Sequence, residues 1–282
     1  MTARTVFTVA ALTIREAARR RVLLALVALT VVLLGLSAFG FSRIDAEFGG
    51  LTSGEARLVA ALVLNLVMFG LSLTAALGTA FLAGPTLAGE TETGIALAVL
   101  ARPVRRAAVL VGKWLGLVTF GCGFVAVAGL TQLLIVVVTT GYWPPRPVTG
   151  LGLLAAQTAV LLTLGLLLST AVSPMASGIV AVGLFGATWI SGVVGAFGEA
   201  LGNDSVARIG TVSRMLLPTD GLWRGAMNAF QDPSLLVQFQ EAFKGHPFLS
   251  ESALTPTYLA WTGLWVVLAL GLAAISFQRR DL

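Results

Sequence analysis

The sequence predicts an all-α, polytopic membrane protein with six transmembrane helices, and three observations predict it. Of 282 residues, 57% are apolar and only 11% are charged; a soluble domain carries about a quarter charged residues and needs them to coat its surface. The charges are also confined, with none at 22–42, 58–89, 114–145, 147–198 or 252–278. Each gap can hold the roughly 20 residues that a helix needs to cross about 30 Å of hydrocarbon. Finally, the apolar runs are continuous rather than alternating. That favours helices over barrel strands, because a helix satisfies its own backbone in lipid.

Residues 1–21 place Val6, Val9, Ala10, Thr13 and Ala17 at helical spacing and close on Arg15, Glu16, Arg19, Arg20 and Arg21. This reads as an amphipathic interfacial helix rather than a cleaved signal peptide, since the apolar run after it is of full spanning length. The expected spans are 22–42, 58–84, 107–138, 150–172, 176–198 and 257–277 in a single transmembrane domain covering 1–282. Gly141, Pro144, Pro145 and Pro147 make a stiff turn into the fourth span. Only Ser173 and Pro174 separate the fourth from the fifth, so those two should form a tight antiparallel pair. Residues 89–106 form a polar and basic segment between spans two and three, and 199–255 is the longest polar stretch.

Six spans put both termini on one side, and charge decides which. The N-terminal segment, 89–113 and the tail hold eleven Lys/Arg against four Asp/Glu, whereas the other side holds seven against nine. The positive-inside rule places the termini and the 89–106 segment in the cytoplasm and 199–255 outside. Basic residues cluster beside apolar runs, so the net charge of +5 reads as membrane flanking and not as nucleic-acid binding. Arg105, Arg106 and Lys113 are expected to hold the third span's start at phosphate level.

Catalytic signatures are missing from the sequence. There is one histidine, His246, expected as a solvated loop residue, and one cysteine, Cys122, expected as a small buried thiol. No Cys/His cluster could hold a metal, and Gly112-Lys113 lacks the flanking residues of a phosphate loop. The deep polar residues are uncharged: Asn65, Gln132 and Gln157. Such amides bond to neighbouring helices more often than to ligands, and none can take up a proton, so an ion-driven carrier is disfavoured. Close glycine spacings, Gly112 with Gly116, Gly192 with Gly195, and Gly178 with Gly183 and Gly186, are expected as helix-packing sites.

The 89–106 segment is the informative one. Glu90 and Glu92 precede a short apolar helix, suiting the positive end of its dipole. Ile95, Val99 and Leu100 form a ridge too short to span, and Arg102-Pro103 ends it. Such a helix, joined rigidly to two spans, suits either docking in a groove of a soluble partner or lying at the interface without one.

The succession of acids, Gly94, apolar helix, Arg102-Pro103-Val104, Arg105-Arg106 and Leu110-Val111-Gly112-Lys113 resembles permease subunits of ABC transporters of the type-2 exporter class, including the NosY-like branch. So do the basic lead-in helix, the six spans, the stretch from Leu217 to Met227, and the closing Phe277 to Leu282. The resemblance covers essentially the whole chain. It implies that 89–106 is a cytoplasmic coupling helix through which Glu90, Glu92, Ile95, Val99, Leu100, Arg102, Arg105 and Arg106 receive movement from an ATPase. It implies a separate ATP-binding-cassette subunit in two copies, holding ATP and Mg, and a second permease, giving a homodimer in the cell inner (plasma) membrane. The chain itself has no ATPase site. Asn65, Gln132 and Gln157 are the polar candidates for a substrate path, with helices between spans five and six capping its outer mouth. The expected function is coupling of ATP hydrolysis to substrate export. The alternative is an ATP-driven membrane machine that transmits force to an extracytoplasmic partner without passing a solute. A third reading is a membrane scaffold with no ATPase. Pro218, Trp223, Phe230, Phe239 and Phe243 would suit a lid in the first case and a docking platform in the second.

Overall fold

The computed structural model describes residues 2–48, 54–92, 105–232, 234, 246–250 and 253–279. Among the described residues there is no strand, and nine helices follow one another. They are α1 (Thr2–Arg19), α2 (Arg21–Phe48), α3 (Gly54–Glu92), α4 (Arg106–Thr140), α5 (Pro147–Ser169), α6 (Pro174–Ala200), α7 (Asp204–Leu216), α8 (Thr219–Phe230) and α9 (Pro256–Arg279). Six of them, α2 to α6 and α9, are long and apolar enough to cross a membrane. Proline starts α5 and α6, at Pro147 and Pro174, where its missing N–H costs nothing. Gly141 ends α4 in the left-handed region, φ 69°, and its N–H bonds the Val137 carbonyl at 2.9 Å.

The bundle is built around α3 and α5, whose span segments are 56% and 67% buried, against 17% for α2 and α9. Leu64, Met68, Leu133, Val136 and Val160 fill the centre, while Leu24, Val31 and Leu36 of α2 and Val267 and Leu272 of α9 face outward. Outward leucines carry no penalty in lipid, so helix association there depends on close fit. Small residues supply that fit around α3: a Cβ at Gly178 would lie 2.8 Å from the Ala80 carbonyl, and one at Gly165 would lie 2.9 Å from Ala83 Cβ. Gly183 and Gly186 differ from their expected packing role, since nothing lies within 4 Å of the Cβ either would carry.

Two ends can be distinguished. At the terminal end, α1 packs along the first turns of α4: Cβ atoms at Gly112 and Gly116 would stand 2.8 and 2.7 Å from the Val6 and Ala10 carbonyls. The lead-in helix is therefore docked on a span through one face, with Phe7 and Leu12 exposed on the other. At the distal end, the chain between α6 and α9 differs from a purely external segment. After Gly202 (φ 67°) and the N-cap Asn203, α7 turns back along α6. Gly195 and Gly210 pack backbone to backbone, and a Cβ on Gly198 would meet the Ala207 amide at 2.5 Å. The chain reverses at Leu217-Pro218, and α8 returns along α5 to place Phe230 against Gly150.

Candidate functional site

How deep this hairpin reaches follows from its partners. Gln157 Nε2 of α5 donates to the Thr219 carbonyl at 3.2 Å, and the Thr219 and Thr188 hydroxyls are 3.0 Å apart. Gln157 lies ten residues inside α5 and Thr188 twelve inside α6, so at 1.5 Å per residue the tip sits roughly 15–18 Å below the distal helix ends. The end of α7 would leave carbonyls unpaired at that depth. Three donors on one face of α9 satisfy them: Tyr258 Oη to the Arg214 carbonyl at 2.9 Å, Trp261 Nε1 to Met215 at 3.2 Å, and Trp265 Nε1 to Leu216 at 2.8 Å.

The tip carries charge. The Asp220 side chain is 1% exposed; Arg224 Nε donates to its Oδ2 at 2.9 Å and Arg214 Nε at 3.2 Å. Arg224 Nη2 also donates to the Gly192 carbonyl at 2.6 Å, tying α8 to α6. Only glycine fits at 192, because a Cβ there would lie 2.1 Å from Asp220 Oδ2. The polar residues deep in the spans remain uncharged, but Asp220 brings an ionisable group against them from outside the spans, on a helix too short and too polar for a hydropathy reading to place there. Two guanidinium groups on one carboxylate make charge-assisted hydrogen bonds to it and give the cluster two arginines for one aspartate.

The sequence-derived polar candidates fall into this framework separately. Gln157 is 2% exposed and fully engaged, since it also accepts from Ser72 Oγ at 2.7 Å, linking α3, α5, α6 and α8 in one chain of bonds. Asn65 Nδ2 donates to the Phe248 carbonyl at 2.9 Å, and Gln132 Nε2 to Ser37 Oγ at 2.6 Å. The three amides are thus not gathered around one cavity. Phe248 belongs to an aromatic cluster at the distal end, where Phe69 stacks near Trp189 (4.7 Å), Trp223 (5.5 Å) and Phe248 itself (5.7 Å). Trp223 and Phe230 are buried against the spans; Phe239 and Phe243 lie outside the described residues. His246 is half-buried, not solvated: its Nδ1 accepts from the Phe248 N–H at 3.2 Å, and burial lowers its pKa from 6.5. Cys122 is half-buried, with Sγ 3.5 Å from the Ala155 carbonyl.

At the terminal end, the candidate coupling segment lies mostly outside the described residues, including Ile95, Val99, Leu100 and Arg102. Its flanks are described. α3 continues as helix through Glu90 and Glu92, passing Pro85, whose missing N–H frees the Phe81 carbonyl. Arg20 Nη1 donates to that carbonyl at 3.5 Å. Arg105 is exposed, whereas Arg106 Nη1 donates to the last carbonyls of α9, Phe277 at 3.4 Å and Gln278 at 3.3 Å. Lys113 departs from the expected phosphate-level position. It is 6% exposed, and its Nζ donates to the Thr86 carbonyl at 2.7 Å, which joins α4 to α3.

The arrangement is that of a membrane subunit with no catalytic constellation described in it: six spans, a segment held between α3 and α4, and a re-entrant hairpin at the other end. No curated protein matches the chain. The family described as ABC-2 family transporter protein matches residues 7–282. A match over nearly the full length, on a fold of this kind, identifies the chain as a member of the ABC-2 transporter family, a multi-pass permease subunit of an ABC transporter.

Proposed function

We propose that the chain couples ATP hydrolysis by a separate cytoplasmic subunit to substrate export, as a homodimer served by two copies of that ATPase, which holds ATP and Mg. In this reading the protein sits in the inner (plasma) membrane with both termini cytoplasmic, and its nearest functional kin are the NosY-like permeases. The observation that carries the reading is how the flanks of 89–106 are fixed. α3 and α4 are bonded to each other through Lys113 and Thr86, α4 is packed on α1, and Arg106 grips α9. A push on a segment between two helices so joined is delivered to the bundle as a whole. Glu90, Glu92, Ile95, Val99, Leu100, Arg102, Arg105 and Arg106 are the proposed contact set, with the apolar ridge seated in a groove of the ATPase. Val99→Asp should abolish copurification of the ATPase and substrate-stimulated hydrolysis; unchanged copurification and hydrolysis would show that coupling lies elsewhere.

The energy source is tested separately, because Asp220 provides an ionisable group at membrane depth. Transport in sealed vesicles should survive collapse of proton and sodium gradients by ionophores and stop when ATP is withheld. Asp220 Oδ2 is taken up by hydrogen bonds from Arg214 and Arg224 within the hairpin, which supports this outcome, since a carrier carboxylate must be open to the ion it exchanges. The second reading, force delivered to an extracytoplasmic partner, is favoured by the aromatic cluster filling the distal end between α3, α6 and α8. It predicts ATP-dependent activity with no solute accumulated.

A further inference from the structure

Between α5, α6, α7 and α9 an open groove of about 650 Å³ runs along the hairpin. Its position is fixed by the glycine contacts. Ala207 and Gly210 lie against Gly198 and Gly195 of α6, so Arg208, on the groove's rim with Ser205, stands roughly 3–8 Å below the distal helix ends. The opposite end is floored by Leu184 and Leu164, sixteen and seventeen residues from the distal ends of α6 and α5 and so about 25 Å down. Between rim and floor the wall is mostly apolar, with Ile209, Val212 and Leu216 exposed along α7 and only the small hydroxyl residues Thr188, Ser191 and Ser213 among them.

Polarity therefore falls from a cation and a hydroxyl near the distal helix ends to leucines roughly 17–22 Å further in, about the length of an extended acyl chain. No Asp or Glu lines the groove, and no described carboxylate pairs with Arg208. The tip below it carries two arginines for one aspartate. We infer that this groove is a binding site for one anionic phospholipid, its phosphate on Arg208 with Ser205 beside it and one acyl chain laid along α7 towards Leu184. Arg208 holds the phosphate by charge-assisted hydrogen bonding, and the apolar wall reads only the presence of a chain. With no described carboxylate paired with Arg208 to receive a headgroup cation, the site favours a headgroup of net negative charge. The bound lipid wedges the outer face of the re-entrant hairpin against α9, and this holds whatever the transported substrate is.

Native mass spectrometry of the full chain, purified in mild detergent and offered equimolar phosphatidylglycerol and phosphatidylcholine, tests it. One retained lipid per chain is expected, with about a tenfold preference for phosphatidylglycerol, because the choline ammonium of phosphatidylcholine would bring a second cation beside Arg208. Arg208→Gln should erase the preference while leaving some retention. Val212→Trp, which fills the groove without touching its charge, should abolish retention of both lipids; elution as the same monodisperse species shows that each variant folds. A preference that survives Arg208→Gln, or retention that survives Val212→Trp, overturns the site. So does efficient disulfide trapping of Val212→Cys to the same position of a second copy, which would mean that the groove is filled by protein.

Discussion

At the terminal end, Arg20, Arg106 and Lys113 each donate to a backbone carbonyl of another helix. At the distal end, Asp220 is gripped by two arginine side chains, and the Phe248 ring sits against Phe69 and Trp189. A carbonyl accepts from any donor that reaches it, so the terminal contacts ask little of the partner side chain. The distal end has carbonyl contacts of this kind as well, from Tyr258, Trp261 and Trp265 to the end of α7, but it adds the Asp220 cluster, where losing one side chain strands another. The distal end therefore carries a side-chain lock that a single substitution can open.

The largest effect should come from that lock. Asp220→Asn keeps the shape but leaves two half-buried guanidinium groups without their anion, and should cost about 3 kcal/mol, the low end for a buried pair, in reversible unfolding in mixed micelles. Lys113→Met, which removes one donor from a carbonyl at the other end, should cost about 1 kcal/mol in the same measurement. Equal costs would erase the distinction between the two ends.

Truncating the aromatic cluster comes next. Phe248→Ala should cost about 2–3 kcal/mol, below the fully buried range because the ring is half-buried. Its loss should also raise the solvent access of Trp189 and Trp223, read as iodide quenching; unchanged quenching would mean that the cluster does not seal the distal end.

The smallest expected effect is a pH dependence confined to the distal end. Burial lowers the folded-state pKa of His246 from 6.5, and neutral Nδ1 accepts the Phe248 N–H. A group with a depressed folded pKa stabilises fully above its unfolded value and loses that contribution as pH falls through the folded one. The melting midpoint should therefore drop between pH 7.5 and pH 5.5, and drop less in His246→Gln. An identical drop in both would assign the effect to other groups.

The six spans were legible because lipid demands long charge-free runs, and the chain shows them without ambiguity. The hairpin was not. Arg208, Arg214, Asp220 and Arg224 interrupt the apolar pattern of 204–230, so hydropathy sends the segment to water. Asp220 meets Arg214 and Arg224 only once α7 and α8 come together against α6, and Arg208 pairs with no described carboxylate. Two local signals pointed the other way: the i,i+4 spacing of Asp220 and Arg224, and Tyr258, Trp261 and Trp265 on one face of the last span. Such a row of ring donors is out of place against lipid tails and asks for acceptors at that depth. Lys113 was misplaced for a related reason, since spacing alone does not tell a snorkelling lysine from one whose ammonium meets a carbonyl inside.

The length of α3 has a mechanical consequence. At 39 residues it is a rod of roughly 58 Å, nearly twice the hydrocarbon thickness. Pivoting it by about 5° around its midpoint swings each tip by ~2.5 Å, more than half of a typical contact distance between packed carbon atoms. One tip ends at Glu92, beside the segment proposed to meet the ATPase; the other begins at Gly54, beyond the level of Asn65 and its bond to the Phe248 carbonyl. A rotation too small to unpack the middle of the bundle is enough to break or remake contacts at both extremities at once, so α3 can act as a lever whose fulcrum is the core itself.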